Sequence, residues 1–157
     1  MVVSDYKTGS GSQYKGLARE DDPTKAGTLL QLGLYAEAAH QLLGADGVET
    51  SYWMVNPRAN YQRMGYEWTS EHRERLVDVV STIVDGIETG VFAAAPGDWD
   101  SFRRTYSECA FCEFDPICPR DRAEHAADKL TAPELAVRVA LTAKPEPAPD
   151  AETPGGE

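Results

Sequence analysis

Val2 to Ser10 reads VVSDYKTGS, and the order of elements begins with it. Met1 to Asp5 (MVVSD) looks like the end of a strand. On a strand, residues two apart point to the same face, so Asp5 and Lys7 converge on one spot. A carboxylate there can hold Mg²⁺, and an ammonium can orient a water or balance charge developing on a phosphate. Taken alone the motif has a simpler explanation, an exposed ion pair at a strand end.

Outward from this strand, Thr8 to Gly27 is polar and rich in Gly and Ser, with Pro23, and reads as a long loop. Thr28 to Leu43 is expected to be a helix, ended by Gly44 and apolar enough to be packed on more than one side. Gln31 and Tyr35 lie four apart on it, hence on one face, where an amide and a phenol need polar partners such as phosphate oxygens. A core tyrosine with a helper glutamine is the plainer account of that pair. Val48 to Val55 (VETSYWMV) is a strand by its β-branched and aromatic residues, Asn56-Pro57-Arg58 is a turn, and Tyr61 to Trp68 is the returning strand of a hairpin. Thr69 or Ser70 caps the next helix, whose core stripe is Leu76, Val80, Ile83 and Ile87 and whose end is Gly90. Ala93 to Asp98 is a loop, Trp99 to Ile117 is irregular, and Arg120 to Ala140 is a final helix broken before Pro133. Strand, helix, strand, strand, helix is the order of an α/β domain with a mixed sheet covered by helices.

With 157 residues, 41% hydrophobic and 26% charged, the chain suits one ordinary globular domain. Its apolar runs are too short to span a bilayer and no charged stretch followed by an apolar one opens it, so a cytoplasmic location without membrane contact is expected. The net charge of −11 argues against tight, unaided binding to a polyanion. Part of that charge lies in residues 143–157, AKPEPAPDAETPGGE, an acidic, proline-rich tail that reads as disordered; the domain itself is assigned to residues 1–142.

Cys109, Cys112 and Cys118 fall within ten residues of one another. An odd count at this spacing speaks for a metal or cluster site rather than a disulfide framework. Three thiolates leave one ligand unassigned. His125, seven residues beyond Cys118, can complete a Cys3His zinc site, whereas an iron–sulfur cluster wants a fourth cysteine that this chain does not contain. The three cysteines are expected to cluster, with Phe111 and Phe114 packed against the fold.

In combination and order, VVSDYKTGS at 2–10, LLQLGLYAEAA at 29–39 and CAFCEFDPICPRDR at 109–122 resemble the RecB-like branch of the PD-(D/E)xK nuclease superfamily. The resemblance is greatest to the C-terminal nuclease domains of AddB- and AdnB-type helicase–nucleases. It covers about residues 1–125 and implies a partial restriction-endonuclease-like fold with a Cys-rich closing segment. It also implies a Mg²⁺-dependent deoxyribonuclease of DNA repair, in which Asp5 binds the catalytic metal and Lys7 assists catalysis. Gln31 and Tyr35 would line the DNA-binding cleft. Cys109, Cys112 and Cys118 would be the last three ligands of a 4Fe–4S cluster acting as a staple, which shifts the preference from zinc to iron–sulfur. Members of that family carry, before the motif that falls on Asp5 and Lys7, a helix with an active-site His or Glu, a strand with a second metal-binding Asp, and the first cluster cysteine. This chain starts at the strand of Asp5, so the expectation is a C-terminal fragment with little or no activity alone. Its implied partners are DNA and a helicase subunit or other chain supplying the N-terminal half. Two other classes stay open: a non-catalytic module of a DNA-processing complex, and a small zinc-binding interaction protein.

Overall fold

The structure is a computed structural model that describes residues 1–19 and 22–142, so the expected disordered tail lies outside the described residues. The described residues gather into two compact units, one ending at Phe92 and one beginning at Ala93. In the first, β1 (Val2–Lys7), α1 (Gln31–Leu43), β2 (Glu49–Met54), β3 (Arg63–Glu67) and α2 (Ser70–Glu88) follow in that order. The strands form one mixed sheet, β1–β2–β3, with β1 parallel to β2 and β2 antiparallel to β3. A parallel pair needs a crossover, and α1 supplies it. The expected mixed α/β architecture is what the chain adopts.

The alternation of the strands decides which side chains meet α1. Val3 packs beside Ala36, Ala39 and Val48, and Thr50 donates from Oγ1 to the Leu32 carbonyl at 3.4 Å. Val3, Asp5 and Lys7 therefore share the helix-side face with Thr50, Tyr52 and Met54. A hydrophobic core of Leu32, Tyr52, Met54, Ala59 and Tyr66 fills the space beneath.

Three local expectations are corrected. The stretch 8–27, expected as a long loop, carries local structure among its described residues. Its short 3₁₀ turns, Ser12–Tyr14 and Leu17–Arg19, drop Tyr14 and Leu17 into the core, two large apolar groups whose burial outweighs the polar residues around them. The helix starts at Gln31 rather than Thr28, because the amides of Thr28 and Leu29 donate to the carbonyls of Lys25 and Thr24 in a tight turn. It buries one face, Leu32, Gly33, Ala36 and Ala39, and leaves Leu34, Leu42 and Leu43 exposed, so it is packed on one side only. Gly33 lies against α2, where an added Cβ would sit 3.2 Å from Leu76 Cδ1.

Thr69 caps α2 as expected, its hydroxyl accepting from the His72 amide at 3.3 Å. The buried stripe of α2 is rotated from the expected one: Leu76 and Val79 are buried, Val80 and Ile83 half-buried, and Ile87 exposed. The turn at Gly27 lies within van der Waals reach of Val79 and Ile83 and draws that side of the helix inward. Asp22 fastens this turn, accepting from the amides of Thr24 and Ala26 at 3.0 Å each and pairing with Arg75 of α2 at 2.6 Å. Desolvation opposes the charge on Asp22, but the Arg75 and turn hydrogen bonds prevail and hold its carboxyl at about 2, below the ordinary 3.8. A carboxyl depressed by folding stabilises the fold above its unfolded value and loses that contribution as pH falls through its folded value. Stability is therefore expected to drop by about 2 kcal/mol between pH 4 and pH 2 on this account. Denaturant melts of the wild type and Asp22→Asn test it: the variant should be less stable at neutral pH and lose less across that window. Parallel curves would refute the assignment.

In the second unit, β4 (Trp99–Asp100) and β5 (Thr105–Tyr106) make a small hairpin, followed by α3 (Arg122–Lys129) and α4 (Ala136–Thr142). The single final helix is thus two, interrupted ahead of Pro133, which opens a short 3₁₀ turn. Among the described residues, no helix is long and apolar enough to cross a membrane.

Candidate active site

Asp5 and Lys7 stand at the C-terminal end of β1, where the sheet meets the first turn of α1. Their spacing puts both on the helix-side face, and the crossover sets Gln31 above them. Lys7 Nζ lies 2.7 Å from Asp5 Oδ2 and donates to Gln31 Oε1 at 2.8 Å. Gln31 Nε2 donates to Tyr35 Oη at 3.0 Å and, more loosely, to Asp5 Oδ1 at 3.4 Å. The four residues singled out from the sequence as two separate pairs are one hydrogen-bonded cluster. Asn56 closes its far end, donating from Nδ2 to the carbonyls of Thr8 and Gly9, just past Lys7.

Electrostatics favour the charged form of Lys7. The Asp5 carboxylate beside it raises the Lys7 ammonium above its ordinary 10.5, against an opposing desolvation. Asp5 Oδ2 is shielded from solvent and lies 2.7 Å from the Lys7 ammonium, its counter-ion. A solvent-shielded carboxylate oxygen is a hard donor of the kind Mg²⁺ takes, an ion often held by one or two protein carboxylates together with water and phosphate. The cluster fits that ion through Asp5. Among the described residues, no group of three or more His, Cys, Asp or Glu side chains is gathered as a metal site.

Two further residues belong here. Tyr52 lies under Lys7, with Nζ 5.2 Å from its ring centroid, and Tyr14 stacks on Tyr52 at 4.0 Å between centroids. Burial pushes the Tyr52 phenol up to about 12, so it stays neutral. The sequence held a signal for Tyr52, which is two residues before Met54 on the inward alternation of VETSYWMV; Tyr14 sits in a Ser- and Gly-rich stretch with no such pattern. A surface hollow lined by Met1, Gly47, Glu49, Ser51, Arg63 and Glu67 carries no part of the cluster.

The cysteines are in the second unit. Cys109 is half-buried, Cys112 and Cys118 are exposed, and all three are free thiols. The Cys112 amide donates to the Cys109 carbonyl at 3.1 Å, a tight turn, and the Cys118 amide to that of Asp115 at 3.3 Å. Arg122 ties the segment together, pairing with Asp115 and donating from Nε to the Pro119 carbonyl at 2.9 Å. His125 pairs with Asp121 at 3.3 Å. Phe111 and Phe114 are not packed as expected but 90% and 66% exposed, because the short turns around them leave the rings on the outside.

No curated protein and no solved structure matches the chain. A family model described as the PD-(D/E)XK nuclease superfamily matches residues 1–119, a span that takes in the whole Asp5–Lys7–Gln31–Tyr35 cluster and the three cysteines. With 119 of 157 residues matched and the motif's Asp and Lys meeting as an ion pair, the chain belongs to the PD-(D/E)XK nuclease superfamily.

Proposed function

We propose that the chain carries one half of the active site of a Mg²⁺-dependent deoxyribonuclease of the RecB-like, DNA-repair type, and that it does not cleave DNA by itself. The observation that carries this reading is the convergence of Asp5, Lys7, Gln31 and Tyr35 into one cluster at the end of β1. Asp5 would hold the metal, which when bound supplies Lewis-acid polarisation of a phosphodiester. Lys7 presents a fixed ammonium beside that position, able to orient a water and balance charge on a phosphate oxygen. Gln31 bridges Lys7 and Tyr35 and so fixes the direction of both polar heads. The Tyr35 ring is partly exposed and its hydroxyl can donate to a phosphate.

Asp5 is the one carboxylate in this cluster among the described residues. A second acidic ligand would come from a partner polypeptide, such as a helicase subunit, or from sequence outside this chain. The test is cleavage of linear duplex and single-stranded DNA with Mg²⁺. The chain alone is expected to match a Lys7→Ala control. Robust cleavage that disappears in Asp5→Ala would overturn the half-site reading and place the second ligand within this chain.

DNA binding is expected to be weak and steeply salt-dependent, since a chain of net charge −11 meets a polyanion through few local cations. Fluorescence anisotropy across a salt series checks this. Tight binding with little salt slope would contradict it.

For the cysteine segment, the same reading makes Cys109, Cys112 and Cys118 three ligands of a 4Fe–4S cluster whose fourth ligand comes from elsewhere. Its support is the donor chemistry, three cysteine sulfurs, soft donors, within ten residues. Iron content and visible absorbance of anaerobically purified protein decide it; stoichiometric zinc, lost in His125→Ala, would replace the cluster with a zinc site.

A further inference from the structure

Lys7 is held from two sides, and only one of its anchors is ionic. Asp5 and Gln31 hold the ammonium by charge and hydrogen bonding, at 2.7 and 2.8 Å. On its other side lies the face of Tyr52, with the ring centroid 5.2 Å from Nζ, inside the roughly 6 Å range in which a cation is attracted by a ring quadrupole. Tyr52 is only 2% exposed, so this attraction operates with little water to screen it. Its place is set by the parallel register, which pairs it with Asp5 in the ladder and so puts it beside both Asp5 and Lys7 on one face.

The ring is itself backed by Tyr14, stacked at 4.0 Å with an interplanar angle of 28°. Gly11, at φ 73°, lets the chain enter the turn that carries Tyr14 inward; a Cβ there would lie 2.7 Å from Met54 Sδ and 2.8 Å from Met64 Cε. The stretch that follows β1 therefore returns to buttress the residue beneath Lys7.

We propose that Tyr52, backed by Tyr14, is the positioning residue for Lys7, keeping its ammonium in place when the Asp5 carboxylate is engaged elsewhere. Asp5 cannot serve a bound cation and Lys7 with the same oxygen at full strength. An aromatic face has no such conflict, because it offers no ligand to a hard cation. The function of this arrangement rests on the nuclease reading, but the contact does not, and it is measured without metal, DNA or turnover.

The experiment is solution NMR of the whole chain. A lysine ε-methylene above an aromatic ring is shifted upfield by the ring current. The Lys7 ε-protons are expected upfield of those of the other lysines, with cross-relaxation to the Tyr52 ring protons. Asp5→Ala should keep both signals, and Tyr52→Phe should keep them because the ring face is retained. Tyr52→Leu should lose the upfield shift while Tyr35 and the sheet resonances hold their positions. If Tyr52→Leu does not fold, the wild type, Asp5→Ala and Tyr52→Phe decide. Lys7 ε-protons at the position of a free lysine in the wild type would overturn the proposal. So would an upfield shift that collapses in Asp5→Ala, since Tyr52 would then not hold Lys7 in place without Asp5. Absence of nuclease activity in every variant bears on the nuclease reading alone.

Discussion

Among the described glycines, Gly65→Ala is expected to be the most damaging change, costing about 3 kcal/mol. Gly65 lies on β3 directly opposite Ser51 of β2. A Cβ added at Gly65 would stand 1.9 Å from the Thr50 carbonyl oxygen, 2.5 Å from Ser51 Cα and 2.7 Å from Ser51 Cβ. Two of those atoms are backbone, so no rotamer change relieves the clash, and β3 must separate from β2 or lose register. β2 carries Tyr52, and its other edge holds β1 with Asp5 and Lys7, so the damage would reach the site through the ladder. Against a total stability of about 5–15 kcal/mol, this is a large share. Thermal denaturation should show a midpoint lowered by roughly 6 °C or more at this chain length. A midpoint within a degree of wild type would show that β2 and β3 are not in the register described here.

How far the sequence could be read depended on whether a signal was local. The strand at Asp5 and Lys7, the β2–β3 hairpin and the Thr69 cap follow from alternation, turn residues and capping chemistry, all of which act within a few residues. So does the pairing of Gln31 with Tyr35 on one helix face. That these two groups would share one hydrogen-bonded cluster is a tertiary fact. It follows from the parallel crossover, which carries the N-terminus of α1 back over the end of β1. The stretch 8–27 was misread because Tyr14 and Leu17 are isolated among polar residues, and no period marks a residue buried by a single 3₁₀ turn. The α1 prediction failed in the opposite sense. Leu34, Leu42 and Leu43 look like core in a sequence window, yet an apolar helix face is buried only if another element arrives to cover it. The same holds at Ile87 of α2, whose stripe turns toward the Gly27 turn instead.

The cysteine segment illustrates a different limit. Its spacing keeps Cys109 and Cys112 near one another along the chain, and a tight backbone turn joins them. It does not fix where the sulfurs point, and the interactions that shape this segment come from Arg122, with Asp115 and the Pro119 carbonyl as its partners. The sequence reading gave Arg122 no role, because the second of two arginines that follow the Cys118-Pro119 dipeptide carries no periodic or spacing signal.

The central claim is that Asp5 is the metal-binding carboxylate of a nuclease half-site, and paramagnetic Mn²⁺ tests it most directly. Mn²⁺ takes the same hard oxygen ligands as Mg²⁺ and broadens the NMR signals of nuclei near it. In a titration of the whole chain, amide signals of Asp5, Lys7 and the first turn of α1 at Gln31 should broaden at the lowest Mn²⁺ additions, ahead of those near surface acids such as Glu71 and Asp85. In Asp5→Ala that selective broadening should vanish entirely while the remaining spectrum is preserved, because no other carboxylate among the described residues joins the cluster. Signals at Asp5, Lys7 and Gln31 that stay sharp in the wild type, or that broaden equally in Asp5→Ala, would contradict the account.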